Sequence, residues 1–305
     1  MIQIAGTLLF ALIGLAFGSF LNVCASRWPE DESVVKPRSH CRSCNRQLAW
    51  WENIPVLSWL ALRGRCRSCR AVIGVRYPLA EAAVAATWAL AAWNGMSVLD
   101  SPGAEWLQIV DALGFAATQM VFCWLLILLA TLDAEHFWLP DRVTLPGAVL
   151  GGLLSLLRFG ALWLWSSLPL HWSLLGVAEG HRALLLHGVM PWLISMLLLP
   201  GILLLIRWGY GAWRGQEGVG LGDIKLMLLL SAWMGLSHAL LAFFLGISFG
   251  AIAAIVLLLR PRSGGSLHSK RLSKIPLGTF LCIGGILSAF WGREILTAYL
   301  RFSGF

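Results

Sequence analysis

Long apolar runs separated by short polar connections dominate this chain. They lie at roughly 3–23, 76–93, 107–131, 143–165, 189–206, 224–237, 239–259 and 276–298. Most reach the roughly 20 residues that a helix needs to cross about 30 Å of hydrocarbon. The run 224–237 is shorter and ends at Leu236-Ser237-His238, which reads as a tight turn. The run 76–93 is Ala-rich and carries Glu81. The pattern predicts an all-α polytopic membrane protein with about eight transmembrane helices. The first run has no basic segment before it and is long enough to span, so it reads as a retained helix rather than a cleavable signal.

Composition supports the same class. The 305 residues are 58% hydrophobic and 12% charged, with a mean hydropathy of +0.75. A soluble domain carries about 25% charged residues. The net charge of +8 then concerns orientation before it concerns nucleic acid, because cytoplasmic loops of membrane proteins collect Lys and Arg. Ten basic residues lie in 24–76, one (Arg142) in 132–142, three (Arg207, Arg214, Lys225) in 207–225 and five in 260–275. With the amino terminus outside, 19 of the 23 basic residues fall on the cytoplasmic side. The remaining four are Arg158, Arg182, Arg293 and Arg301. Seven or nine spans would spoil this partition, and eight place both termini in the periplasm.

The segment 166–188, with His171, His181 and His187, then reads as a periplasmic connection. Its histidine spacings match no helical face. The tract 262–273 reads as a flexible cytoplasmic loop near anionic headgroups. Trp50, Trp51, Trp106, Trp163, Trp165, Trp192 and Trp208, near the ends of runs, are expected as interfacial anchors.

The loop 24–75 holds Cys41-Arg42-Ser43-Cys44 and Cys66-Arg67-Ser68-Cys69. Two C-x-x-C pairs at this interval suit a tetrahedral four-cysteine zinc site, structural because four thiolates leave no open position. A redox dithiol or an iron–sulfur cluster are the other readings of the spacing. Disulfides do not suit a cytoplasmic loop. Cys24, Cys123 and Cys282 sit in or beside apolar runs and read as packing.

Two aspartates are out of place. Asp133 closes the run Met120–Leu132, and Asp223 ends Gly218-Val219-Gly220-Leu221-Gly222-Asp223. A carboxylate within a spanning helix costs about 2.5–3.5 kcal/mol on insertion scales, so a pair needs a reason. The glycines let backbone approach a neighbour closely and open conformations closed to other residues. An unwound segment at membrane depth is tolerated where it is buried in protein or lines a wet cavity. Two carboxylates brought together share a proton, which is the chemistry of aspartyl hydrolysis. The charge partition puts both at the cytoplasmic boundary. Among other acids, Asp141 reads as a helix cap, while Glu135 and His136 read as interfacial. Glu81, Glu105 and Asp111 read as structural, and Lys225 as a partner of headgroups or a tuner of the site.

With these residues in hand, the chain resembles the type IV prepilin peptidases, almost from end to end. The resemblance rests on Gly18-Ser19-Phe20-Leu21-Asn22-Val23, the two C-x-x-C pairs and Glu52-Asn53-Ile54-Pro55-Val56-Leu57-Ser58-Trp59-Leu60. It also includes Arg76-Tyr77-Pro78-Leu79-Ala80-Glu81, Leu139-Pro140-Asp141 and Gly220-Leu221-Gly222-Asp223-Ile224-Lys225-Leu226. It implies an inner-membrane aspartyl protease of the G-x-G-D type with Asp133 and Asp223 as the catalytic pair. Cys41, Cys44, Cys66 and Cys69 would be the metal ligands. It further implies removal of a basic leader from prepilins or type II secretion pseudopilins, and N-methylation of the new amino terminus with S-adenosylmethionine. No residue of the sequence marks the S-adenosylmethionine site. Two departures stand out: 159–188 is longer than usual, and the first cysteine pair lacks the common proline.

The expected organisation is a first transmembrane helix over 1–23, a cytoplasmic zinc loop over 24–75 and a seven-helix aspartyl peptidase domain over 76–305. The expected partners are the substrates and the lipid bilayer, without nucleic acid, and the oligomeric state is open. Three rivals remain at this point: a peptidase of other substrates without methyl transfer, a proton-coupled transporter, and a non-catalytic assembly factor docking through the cysteine loop.

Overall fold

The computed structural model describes residues 1–101, 103, 105–166, 182–215, 218–259 and 275–304. The described residues are helical apart from turns and two isolated bridges. Seven of the helices are long and apolar enough to cross a membrane. The tract 262–273 lies outside the described residues, as do His171 and His181.

The chain divides into two compact units, Met1–Leu132 and Asp133–Phe305. In the first, helix α1 (Ile2–Arg27) pairs with α3 (Arg76–Met96). The two run antiparallel: the Gln3 side-chain amide donates to the Trp93 carbonyl at one end and that of Asn22 to the Tyr77 carbonyl at the other. Small residues allow the close approach. A Cβ on Gly14 would sit 2.9 Å from Ala85 Cα, and one on Gly18 only 2.6 Å from Glu81 Cα. Close packing of this kind replaces the hydrophobic drive that lipid cannot supply. The first part of α4 (Trp106–His136) completes the unit through Trp88 Nε1–H to the Met120 carbonyl and Trp124 Nε1–H to the Phe17 carbonyl. The 28–75 connection contains the short helix α2 (Leu57–Ala61) and two knuckles of the same form. Cys41 N–H donates to Arg46 and Cys66 N–H to Ala71, and Asn45 and Arg70 take the left-handed conformation that closes each turn.

The second unit contains α5 (Asp141–Ser166), α6 (Met190–Arg214), α7 (Leu221–Leu259) and α8 (Leu277–Phe302). The helical stretch ending in α6 starts at Arg182 and passes through a π-turn at Leu185–Val189. His187 therefore lies within a helical stretch. The seven helices agree with the expected about eight runs, because 224–237 and 239–259 lie together in the single 39-residue stretch α7. That stretch is broken at Gly235, with φ 72° and ψ −173°, a region open essentially to glycine alone. Beyond the break, His238 packs on Gly292, Gly246 on Leu281, and Gly250 on Leu277 and Phe280. The second half of α7 thus runs antiparallel to α8. The Leu139 side chain touches both Gly222, at the start of α7, and Gly278, at the start of α8. The start of α7 therefore lies at the same end as Gly250, and the helix folds back on itself at Gly235. The reversal falls at Gly235 rather than at Leu236-Ser237-His238.

Trp50, Trp106 and Trp208 are exposed, as anchors require. Trp192 is not an anchor: only 6% of it is accessible, and its Nε1–H donates to the Ala232 carbonyl freed by the nearby break.

Candidate active site

In the first unit, the four cysteine sulfurs lie within 4.8 Å of one another, with Cys41 Sγ 3.8 Å from Cys69 Sγ. A tetrahedral zinc site with Zn–S bonds of about 2.3 Å sets neighbouring sulfurs about 3.8 Å apart, so the donor set fits that metal in type, number and spacing. The knuckle turns prepare the thiolates. Backbone N–H groups of Cys69 and Ser68 pull the Cys66 thiol down to about 6. Cys41 is also lowered: the cost of burying its thiolate is outweighed by the N–H groups of Cys44 and Ser43. Cys69 accepts from the Ala71 N–H, yet burial and the other thiols push it up to about 11. Charge accumulating among neighbouring sulfurs makes the last proton the hardest to remove, and a divalent cation relieves that repulsion. Glu52 braces the first knuckle from the side. Its carboxylate accepts the Ala49 N–H at 2.8 Å and pairs with Arg46, and these contacts hold it below the usual carboxylate range.

In the second unit, the structure brings Asp133 and Asp223 together. Asp133 stands on the last turn of α4 and is 6% exposed. Its Oδ2 accepts the Thr279 N–H at 2.6 Å and the Thr279 hydroxyl at 3.0 Å. Asp223, on the first turn of α7, accepts the Gly220 N–H, and its charge interacts with that of Asp133. Leu139 bridges the two positions: its side chain packs on Gly222, beside Asp223, and on Gly278, which itself abuts the Asp133 carboxylate.

The glycines work by size rather than by unusual backbone angles, because Gly218, Gly220 and Gly222 have no positive φ. A Cβ on Gly218 would meet the Tyr210 ring at 2.9 Å, one on Gly220 the Asp223 carboxylate at 3.1 Å, and one on Gly222 Leu139 at 3.1 Å. Helix α7 already begins at Leu221, so Gly222 is helical rather than unwound.

Sequence reasoning missed three contributors. Thr279 carried no signal beyond its place after Pro276-Leu277-Gly278 at a helix start. Arg207 was counted as loop charge, yet its Nη1 donates to the Val219 carbonyl at 2.7 Å and steadies the glycine segment from α6. Leu139 entered only as part of Leu139-Pro140-Asp141, with no role of its own. Asp141 opens α5, and its Oδ1 accepts from Lys225 Nζ at 2.6 Å, a strap between α5 and α7. Cys24, Cys123 and Cys282 are buried, as packing residues should be.

Residues 12–95 match the family described as "Bacterial Peptidase A24 N-terminal domain", and residues 120–255 match the "Type IV leader peptidase family". Among curated relatives, the "Prepilin leader peptidase/N-methyltransferase" of Pseudomonas aeruginosa is 33% identical, across 96% of this chain and 93% of the relative. Relatives with the same description from Aeromonas salmonicida and Burkholderia pseudomallei are each 32% identical. These matches cover 95% and 97% of this chain, and 92% and 88% of the relatives. No solved structure matches.

Proposed function

Because this multi-pass membrane chain belongs to the type IV leader peptidase family, we propose that it cleaves the basic leader from prepilins or pseudopilins and N-methylates the exposed amino terminus. The observation that carries the peptidase reading is the convergence of Asp133 and Asp223 through Leu139, Gly222 and Gly278. Such a pair holds one proton between its two members near neutral pH and titrates as a unit. The ionised carboxylate takes a proton from water as the water oxygen attacks the scissile carbonyl carbon. The protonated carboxyl gives its proton to the carbonyl oxygen. When the tetrahedral intermediate collapses, the C–N bond breaks and the departing nitrogen takes a proton from the pair. Thr279 keeps the Asp133 carboxylate in place throughout.

The concentration of Lys and Arg in these loops supports an active site at the cytoplasmic face of the inner membrane, with both termini in the periplasm. There a basic leader stays in water while the apolar substrate helix remains in the bilayer. Cys41, Cys44, Cys66 and Cys69 would hold zinc in a closed structural site. S-adenosylmethionine, when bound, supplies a methyl group from its sulfonium to the new amine.

The test is cleavage of a purified prepilin by the protein in detergent. Asp133→Asn and Asp223→Asn should each abolish it, and unchanged cleavage by either variant would sink the pair assignment. Mass analysis of the product with added S-adenosylmethionine, expected to show a gain of one methyl group, tests the second activity.

A further inference from the structure

A cavity of about 390 Å³ lies within the first unit, lined by the ends of α1 and α3 and by the cysteine loop. Its size falls in the range of small-molecule sites, about 300–1,000 Å³. Ser19 and Asn22 line it from α1, Tyr77 and Glu81 from α3, and Trp59 and Arg67 from the loop.

Glu81 is the anomaly. It is only 8% exposed, its Oε2 accepts the Val56 N–H at 2.7 Å, and Ser19 and Asn22 bond to it as well. Among the described residues, no cationic side chain pairs with it. A buried carboxylate without a counter-charge is costly unless something else supplies one.

The loop is strained to meet it. Val56 has φ 61° and ψ −49°, and Leu57 N–H donates to the Pro55 carbonyl at 2.6 Å across it. This is the γ-turn of positive φ, rare and strained, and here it is centred on a β-branched residue. The turn aims the Val56 N–H at Glu81. The close approach of Gly18 to Glu81 leaves α3 no room to shift on that side.

The rest of the lining narrows the ligand. Arg27, Arg42, Arg67 and Arg76 outnumber Glu32, Glu52 and Glu81; Arg42 is paired with Glu30 and Glu52 with Arg46, which leaves three arginines against two glutamates. A basic leader peptide is unsuited to such a wall. A small zwitterion fits better, with one cationic centre for Glu81, an anionic group for arginine and a flat ring for the aromatic side chains.

We propose that this cavity is the S-adenosylmethionine site and that Glu81 is the counter-charge to its sulfonium. The assignment rests on the methyl-transfer reading above and names the site of that activity.

The test uses the full chain in nanodiscs and compares equilibrium binding of radiolabelled S-adenosylmethionine with that of S-adenosylhomocysteine, which lacks the sulfonium charge. Glu81→Gln keeps a carbonyl acceptor for the Val56 N–H and removes the negative charge. It should weaken S-adenosylmethionine binding about tenfold or more and S-adenosylhomocysteine binding less than threefold, since each tenfold corresponds to about 1.4 kcal/mol of lost attraction. Equal weakening of both ligands, or no weakening of either, overturns the role of Glu81. Ultraviolet cross-linking of the unsubstituted protein to the methyl-labelled donor should mark peptides within 19–81. Label confined to 133–305 in a protein that still methylates its product overturns the cavity and spares the methyltransferase reading. A protein that cleaves prepilin but binds no S-adenosylmethionine overturns both.

Discussion

Thr279 donates twice to a single oxygen of Asp133, from its backbone N–H at 2.6 Å and its hydroxyl at 3.0 Å. The first turn of α8 thereby fixes the carboxylate at the end of α4. Hydrogen bonds to a charged group contribute about 1.5–3 kcal/mol each. Thr279→Val removes the hydroxyl and keeps the N–H, so kcat for prepilin cleavage should fall about 10- to 100-fold with KM little changed. Thr279→Ser should restore most of the loss, and single-turnover cleavage measures both. Equal activity in the Val variant would show that the hydroxyl does not position Asp133.

Gly278→Ala places a methyl group 2.9 Å from both Asp133 Oδ2 and Leu139 Cδ1. Overpacking of this kind costs about 1–3 kcal/mol and displaces the softer neighbour. Cleavage should drop while the protein still accumulates in the membrane. Adding Leu139→Ala should recover part of the activity by making room. The pair is best measured as a double-mutant cycle, because the two sites share a contact.

Gly235→Ala tests the fold-back of α7. The position has φ 72° and ψ −173° with no atom within 4 Å of a built Cβ, so the penalty comes from the backbone alone. It should cost about 1–3 kcal/mol and lower the melting temperature in detergent. Gly114→Ala, on α4 with equally open surroundings and no positive φ, should leave the melting temperature unchanged or raise it.

Metal removal should act on the cysteine loop. A strong chelator should release about one zinc per chain and expose Cys41, Cys44, Cys66 and Cys69 to a thiol reagent, while buried Cys24, Cys123 and Cys282 stay silent. Cys44→Ser should lower the zinc content of the purified protein. Full metal content in that variant would argue against a four-thiolate site.

Glu52 gives the loop a pH dependence. Its carboxylate is held below its ordinary value by the Ala49 N–H and Arg46, so its stabilising effect is complete above the ordinary carboxylate range near 4.3. The effect is lost as pH falls through the depressed value. Glu52→Gln should therefore melt below the unsubstituted protein at pH 7, with the gap closing toward pH 3. A gap independent of pH would mean that packing, not charge, explains the effect.

Sequence alone determined the class, because backbone in hydrocarbon must be a helix or a closed barrel, and continuous apolar runs of about 20 residues fit only the helix. It also brought out the two C-x-x-C pairs and the two misplaced aspartates, since local spacing limits which atoms can share a metal and a charge beside an apolar run is conspicuous. Tertiary structure decided what depends on distant neighbours. The reversal at Gly235 is a property of one residue's backbone angles, and hydropathy, which continues across it, cannot reveal it. The glycines before Asp223 look like a flexible break in one dimension, but packing against Tyr210 and Leu139 shows that they serve close approach instead. Thr279 is 146 residues from Asp133 along the chain, and no periodicity links two residues whose meeting depends on how α8 docks. Glu81 read as structural for the same reason. Its burial, its lack of a cationic partner among the described residues and the strained turn it holds exist only once α1, α3 and the cysteine loop are packed together.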